Sequence, residues 1–446
     1  MKKILILVTF VFSITLQSQD KKSYSFTLDQ AITHALANNR QAINAGRDIE
    51  ISKQKKWETT ALGLPQVNGS VGYLNNIKLQ TSLLPAQIFG GPAGEFAEVT
   101  FGTKQNASAS IGVTQLLFDG SYIVALQASK VYLQYFQNYK QKTDLDVREM
   151  IINSYGNVLL ADESKQILEK NREILEKTIF ETNQIYKNGL IEEENVEQLK
   201  ITLSTINNNL NYTSRLKDLG LKMLKINLGI DINNELILTD KLDVLAQNNL
   251  DLGLISATSD FNAKSNINYN IAQNFVQQRS LELKLQKSKA LPSLGLGYNL
   301  GANSFGETFN FFNTNQRWFN YSNIGVNLTV PIFSSFGRQA KTQQAKIEVD
   351  KAKTILDETE QKLKLAYDNA KSDYEFSIEQ YNSTKESLRL AERIEKKQEI
   401  KFKEGLSSSF NLAEAQRQLY SEQQNYLKTM VEVINKKAGL VKITGK

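Results

Sequence analysis

The peptides YKNGL at residues 186–190 and FKEGL at residues 402–406 close two long segments that contain almost no helix-breaking residues. Residues 121–188 contain no Pro and a single Gly, Gly156, whereas residues 338–404 contain neither. Uninterrupted segments of this kind predict long helices, and a Gly just beyond a helix is typical of a turn. We therefore predict two helical hairpins, in which each long helix reverses direction at a Gly-Leu pair.

The same order of features occurs in both halves of the chain, which indicates an internal duplication. In each half a Pro precedes one alternating segment, a second alternating segment ends in Phe, and the long helical segment follows. The markers are Pro65, Phe118 and Gly189 in the first copy and Pro292, Phe333 and Gly405 in the second. The Phe and the Gly are 71 positions apart in the first copy and 72 in the second, so the two hairpins should match in length.

The spacing of side chains in the second long helix predicts a packing seam. Large and small residues alternate along a seven-residue repeat, as in helices that wind around each other. The large positions are Tyr367, Tyr374, Tyr381 and Leu388, and the small ones are Ala370, Ser377, Thr384 and Ala391. A shorter returning helix is predicted at about residues 194–228 in the first hairpin and 411–438 in the second.

Four shorter segments alternate between apolar residues and small or polar residues, which is the pattern of strands with two unlike faces. They cover about residues 66–77, 106–118, 293–303 and 321–333. Strands of about ten residues are long enough to cross a bilayer when they are tilted. A soluble sheet with one face in water shows the same alternation of residues. A closed barrel needs at least about eight strands. Four membrane-spanning strands in each chain would therefore require several chains to share one barrel.

The first residues have the features of a secretory signal peptide. Lys2 and Lys3 precede an apolar run from Ile4 to Leu16, and the small residue Ser18 follows. We assign residues 1–18 to this signal and expect an exported mature protein. No later segment reaches the roughly 18 consecutive apolar residues of a membrane helix, so any insertion into a membrane would have to use strands.

The composition argues against an enzyme. The chain has no Cys and one His, His34, which excludes thiol nucleophiles, disulfides and multi-His metal sites. His34 lies in an ordinary helical context, and neither a phosphate-binding loop nor a nucleophile-elbow motif is present. The net charge of +6 comes from interspersed residues, which does not indicate a nucleic-acid surface. We therefore predict no catalytic residues, no metal, no cofactor and no nucleic-acid partner.

Several short motifs together resemble the TolC family of outer-membrane efflux proteins. Each motif is weak alone, but their order, duplication and spacing extend over nearly the whole mature chain. They are FTLDQA (26–31), LPQV (64–67) and LPSL (291–294) before the strands, QLLFDG (115–120) and VPIF (330–333) after them, and the two Gly-Leu turns. The family often has a Pro after the pair Asn38-Asn39, where this chain has Arg40.

The resemblance implies a mainly helical fold with additional strands, assembled as a trimer. Twelve strands would form one β-barrel in the outer membrane of a Gram-negative bacterium, continued by an α-barrel of helices across the periplasm. It also implies a passive duct for a tripartite efflux pump or a type I secretion system, joined to a periplasmic adaptor and an inner-membrane pump. In this arrangement residues 19–229 and 266–446 are the two repeats, and residues 230–265 form a less regular equatorial linker with short elements.

The resemblance further implies that the two turns form the periplasmic tip, where the tube narrows. Members of the family often carry a ring of carboxylates in the helix after the second turn, at positions that match Asn411 and Glu414. This chain keeps a carboxylate at Glu414, but Asn411 departs from the family pattern because its side chain is neutral. The other candidate tip residues are Glu194 and Asn195 for the pore, and Gly189, Leu190, Gly405, Leu406 and Ser407 for adaptor docking. Helix capping alone would explain many of these residue types.

Two other functions remain open at the level of sequence. A secreted coiled-coil structural protein explains the helices but not four strands of bilayer-crossing length. A periplasmic adaptor also has helical hairpins, but adaptors usually place β-sandwich halves around one hairpin. A diffusion porin does not fit, because its chain should consist mainly of strands.

Overall fold

A computed structural model describes residues 22–251, 253–254 and 261–445, and the predicted signal peptide at residues 1–18 lies outside this described part. The chain divides into two compact units. The first comprises the residues up to 44, residues 141–266 and the residues from 363 onward. The second comprises residues 45–140 and 267–362, so each long helix contributes to both units.

The described elements come in runs of strands and runs of helices along the chain. The strands are β1 (Ser23–Phe26), β2 (Gln66–Asn75), β3 (Thr81–Pro85), β4 (Phe96–Thr100), β5 (Gln105–Asp119), β6 (Glu235–Leu238), β7 (Ser293–Gly306) and β8 (Trp318–Thr329). The helices are α1 (Leu28–Asn38), α2 (Arg40–Ala61), α3 (Gly120–Lys187), α4 (Glu194–Leu228), α5 (Leu242–Asn248), α6 (Ile267–Ser288), α7 (Gly337–Lys403) and α8 (Ser409–Thr444).

The second unit contains a four-stranded antiparallel sheet in the order β2-β5-β7-β8. Its register places apolar residues in one row across the strands and small or polar residues in the next row. The apolar row is Val67, Val113, Tyr298 and Ile324, and the adjacent row is Asn68, Gly112, Asn299 and Asn323. Because neighbouring residues of a strand point to opposite sides, these rows give the sheet one apolar and one polar face, as the alternation predicts. The first part of β8 is an exception, since Asn320 and Ser322 lie on the apolar side and Phe319 and Tyr321 on the polar side.

Some limits of the strands in this unit differ from the sequence prediction: β2 ends at Asn75 rather than at about residue 77, β7 extends to Gly306 and β8 begins at Trp318. The last strand, β8, ends at Thr329 rather than at about residue 333, because its partner β7 begins at Ser293 and Ser293 already pairs with Thr329. Pro331 follows, and it has no backbone N–H for a further ladder bond. The segment between β2 and β5 also contains an unpredicted antiparallel hairpin, β3–β4.

The predicted helical hairpins are confirmed as α3–α4 and α7–α8. The last helix extends to Thr444, beyond the predicted limit at residue 438. Along the predicted seam of α7, Tyr374, Ser377, Tyr381 and Ala391 are buried. Alternating large and small side chains thus pack α7 against its neighbours in the first unit, as the seven-residue spacing predicts.

The core of the first unit lies where the helices meet a small lateral element. Strands β1 and β6 pair in parallel, which joins residues 23–26 to residues 235–238. The hydroxyl of buried Tyr155 lies 3.0 Å from both the carbonyl oxygen of Phe26 and Oδ2 of Asp240. Burial raises the pKa of Tyr155, so the hydroxyl keeps its proton and remains a donor to these oxygens. Strand β6 and helix α5 are short elements of the kind expected between the repeats, whereas β1 comes from the start of the first repeat.

Candidate functional site

The two Gly-Leu turns have the same backbone structure. Both glycines adopt φ of 73°, a left-handed conformation that favours Gly. The amide of Gly189 donates to the carbonyl of Tyr186, and the amide of Leu190 donates to that of Ile185. The second turn repeats this pair of hydrogen bonds at Gly405 and Leu406, to the carbonyls of residues 402 and 401. This is the Schellman arrangement that satisfies the last carbonyls of a helix.

Each turn presents one exposed leucine. Leu190 is 75% exposed and Leu406 is 74% exposed, so neither contributes to the core of the chain. A Cβ at either turn glycine would meet no atom within 4 Å, which shows that the surface beside both turns is open. The predicted docking residues therefore form two similar and accessible patches, with an apolar side chain at the centre of each.

The residues after the turns differ in charge and in how they cap the next helix. The first turn continues with three consecutive carboxylates, Glu192 to Glu194, and no side chain caps the start of α4. The second continues with three serines, and Ser408 accepts a hydrogen bond from the amide of Asn411 at the start of α8. The acidic run suits the positive end of the α4 dipole, whereas α8 uses a neutral cap.

Side-chain hydrogen bonds connect the two hairpins directly. Near the turns, Oγ of Ser409 donates to Oδ1 of Asn195 at 2.6 Å, and the amide of the same Asn195 side chain donates to the carbonyl of Glu192. Farther from the turns, two further bonds join α3 to α8. They run from Asn171 to Gln423 at 3.1 Å and from Ser164 to Gln424 at 3.0 Å. Neutral side chains make these three contacts, whereas Lys442 near the end of α8 forms ion pairs with Asp146 and Glu149 of α3.

The predicted carboxylate of the tip has a partner of opposite charge. Glu414 is exposed and forms an ion pair with Arg417, one helical turn further along α8. Asn411 is also exposed on α8, three positions before Glu414. Because exposed ion pairs contribute little stability, the pair chiefly reduces the local negative charge that Glu414 would otherwise present.

The structure brings some of the candidate residues together and leaves others apart. Asn195 is in contact with the second hairpin through Ser409, whereas Glu194 is exposed at the first residue of α4. Ser407 is half-buried, and its Oγ donates to Oε1 of Gln398 at 2.9 Å. Sequence reasoning missed Ser409 and Arg417. The Glu-to-Arg spacing of three residues within a helix was a usable signal for the second of these.

No group of His, Asp or Glu residues suited to hold a metal ion occurs among the residues that the structure describes. In that same part of the chain, no helix combines the length and the apolar character needed to cross a membrane. His34 packs its ring 5.0 Å from the ring of Phe26, and burial lowers the pKa of His34, in keeping with a structural role.

Comparison with known sequences gives a match for the second half of the chain. Residues 271–446 match the family described as outer membrane efflux protein. No curated protein sequence matches the chain. The matched region covers α6, the strands β7 and β8 and the second hairpin, which is one of the two copies of the duplicated unit.

Comparison with solved structures gives matches over almost the whole chain. The transmembrane channel CusC has a TM-score of 0.74 at 16% identity, covering 94% of this chain and 91% of that chain. The CmeC outer membrane channel of Campylobacter jejuni has a TM-score of 0.71 at 18% identity, covering 94% and 85%. The MtrE outer membrane channel of Neisseria gonorrhoeae, in its open state, has a TM-score of 0.70 at 16% identity, covering 94% and 88%. These structural matches confirm the predicted fold, and the family match over residues 271–446 confirms the resemblance to outer-membrane efflux proteins in that part of the chain.

Proposed function

We propose that the protein is a passive exit duct in the outer membrane of a Gram-negative bacterium. It would serve a tripartite efflux pump or a type I secretion system. Three copies would place twelve strands in one β-barrel, and their helices would continue the duct through the periplasm as an α-barrel. The observation that carries this proposal is the four-stranded sheet, with its apolar face exposed and both of its edges open.

The apolar face of the sheet needs an apolar environment that the chain does not supply. Val71 in β2 is 88% exposed, and Ile324 and Val326 in β8 are 70% and 66% exposed. An exposed, mainly apolar face of this kind is unfavourable in water but suits contact with lipid. The opposite face carries small and polar residues such as Ser70 and Asn323, which suit a water-filled interior.

The edges of the sheet support the sharing of strands between copies. Within the described chain, β2 pairs only with β5 and β8 only with β7, so each outer strand has one unpaired side. Unpaired backbone groups are not tolerated within the hydrocarbon of a membrane. Pairing of β8 with β2 of another copy would satisfy both edges and close the sheet into a ring.

The turns supply the proposed contacts at the periplasmic end. We assign Gly189, Leu190, Gly405, Leu406 and Ser407 to adaptor docking, because the two exposed leucines offer matched apolar contacts. We assign Glu414, Asn411, Glu194 and Asn195 to the narrow part of the pore. The pump and the adaptor would supply the energy and the selection of cargo, and the duct itself would need no cofactor.

Fractionation of cells and electrophoresis test the proposal. The protein is expected with outer membranes, as an oligomer that withstands mild detergent and dissociates on heating. Reconstitution into planar lipid bilayers should give stable ion-conducting pores. Recovery of a soluble monomer, or a membrane-bound oligomer without conductance, would exclude the duct.

A matched pair of substitutions tests the role of the two faces of the sheet. Val71 and Ser70 are neighbours in β2 that point to opposite faces. Val71→Asp should strongly reduce the membrane-inserted oligomer, because a charge on the lipid face is destabilising. Ser70→Asp should be tolerated, because its side chain would face water inside the ring. Equal effects of the two substitutions would contradict the assignment of the faces.

A further inference from the structure

A cavity of about 320 Å³ lies among helices α3, α4, α7 and α8 in the first unit. This volume falls within the range of about 300–1,000 Å³ that is usual for small-molecule sites. Residues from all four helices line the cavity, so a ligand in it would touch both hairpins at once. Neither the turns nor the sheet needs this cavity for the proposed duct.

Aliphatic side chains form one part of the wall of the cavity. Leu175 of α3 and Ile206 of α4 form part of the buried core between the hairpins, and Leu419 of α8 lines the same space. Tyr420 of α8 adds an aromatic ring to this wall, and burial raises the pKa of its hydroxyl. These side chains provide an apolar and partly aromatic surface for a hydrocarbon or ring system.

The polar part of the wall includes two carboxylates of α7, beside neutral amide and hydroxyl side chains of the other three helices. Glu395 is half-buried, and burial, reinforced by the nearby carboxylate of Glu399, raises its pKa. Among the described residues, Glu395 makes no ion pair within 4 Å with a Lys or Arg side chain. The attraction of Lys403 opposes this rise in pKa, but the ammonium of Lys403 is itself bonded to Glu399. A half-buried carboxylate with no ion pair of its own is costly, and a cationic ligand would relieve that cost.

The remaining charged residues of the lining are all exposed at the rim of the cavity. Glu392 of α7 also lines the cavity and is exposed at its rim. The two basic residues of the lining are Lys170 of α3 and Arg417 of α8; both are exposed, and Arg417 already pairs with Glu414. The lining residues of α4 carry no charge. Of the charged residues that line the cavity, Glu395 is therefore the one whose charged group is partly buried.

We propose that this cavity binds a small amphipathic organic cation. Its charged nitrogen would lie beside Glu395, and its hydrocarbon or aromatic part would pack against Ile206, Leu419 and Tyr420. Because the ligand contacts both hairpins, binding favours the arrangement of the hairpins seen here over any arrangement in which they separate. The site is thus a place where a small molecule would hold the tip of the duct in one state.

Direct binding to the purified full-length oligomer in a nonionic detergent tests the site. The probe is acridine orange, a fluorescent aromatic cation, titrated at neutral pH and followed by fluorescence anisotropy. We expect saturable binding with up to one site per chain. Glu395→Gln should weaken the affinity about tenfold, because it removes a charge-assisted contact in a partly buried place. The control is Glu386→Gln on the same helix, whose carboxylate is exposed and already paired with Arg389.

A second variant tests the cavity itself rather than its charge. Ile206→Trp should fill the space and abolish saturable binding, while the anionic dye fluorescein should not compete with acridine orange. Unchanged affinity in Glu395→Gln, binding that fluorescein displaces equally well, or no saturable binding to the assembled oligomer would overturn the proposal. If Ile206→Trp does not assemble, the comparison of Glu395→Gln with Glu386→Gln decides alone. The assay does not measure conductance, so its result is separate from that of the duct.

Discussion

Replacing Ser409 by Ala should loosen the connection between the two hairpins near their turns. Oγ of Ser409 donates to Oδ1 of Asn195 at 2.6 Å, and Ser409 is 1% exposed. A neutral hydrogen bond contributes about 0.5–1.5 kcal/mol net, so we expect a loss of about 1 kcal/mol in each subunit. That loss corresponds to a factor of about five in the equilibrium between joined and separated hairpins.

Single-channel recording in planar lipid bilayers measures this equilibrium, if the hairpins must separate for the tip to open. We expect Ser409→Ala to raise the ratio of open to closed time by about fivefold for each bond that opening breaks. Ser407→Ala is the matched control. The hydroxyl of Ser407 bonds to Gln398 within the second hairpin, so its removal costs a similar bond without affecting the link to the first hairpin.

The double variant with Asn195→Ala separates coupling from general destabilisation. If the bond links the hairpins, the double variant should open about as often as either single variant, because both remove the same contact. Strictly additive effects of the two substitutions would refute the reasoning. So would an effect of Ser407→Ala as large as that of Ser409→Ala, because opening would then depend on the stability of the second hairpin alone.

Three further predictions follow from single contacts. Gly405→Ala should destabilise the turn by about 1–2 kcal/mol, seen as a lower midpoint of thermal unfolding by circular dichroism, because its φ is left-handed. Gly337→Ala is the neutral control, since an added Cβ there meets nothing within 4 Å. Glu414→Gln should shift the reversal potential in a salt gradient toward anion selectivity, and Arg417→Gln should shift it toward cation selectivity. Shifts of the same sign would contradict a shared ion pair in the pore. Tyr374→Phe should lower the free energy of unfolding by about 1–3 kcal/mol, because its buried hydroxyl bonds two backbone groups, and an unchanged urea midpoint would contradict this.

Local pattern was sufficient to predict the repeated architecture. The helices follow from the absence of Pro and Gly across residues 338–404, and the buried seam at Tyr374 and Tyr381 follows from their seven-residue spacing. The faces of the sheet follow from the alternation within each strand. These predictions succeeded because the residues that determine each element are close together in the sequence.

Features that depend on distant pairing could not be predicted in this way. Strand β1 is four residues long, and its partner β6 lies more than 200 positions away, so neither has a local signal. The hairpin β3–β4 contains Pro85 at the end of a short strand, which obscures its alternation. The bond between Asn195 and Ser409 joins residues 214 positions apart, and nothing in either helix alone indicates which hairpin lies beside it.

The strand order β2-β5-β7-β8 has a genetic consequence. All adjacent strands in the sheet are antiparallel, and their number is even, so β2 and β8 run in opposite directions. Identical copies can therefore meet β8 to β2 in the same antiparallel manner at every junction of a closed ring. Each copy supplies one side of two different junctions. A chain with a damaged β2 but an intact β8 would still enter a ring and leave one junction unpaired. One faulty allele should therefore impair assemblies that also contain normal chains.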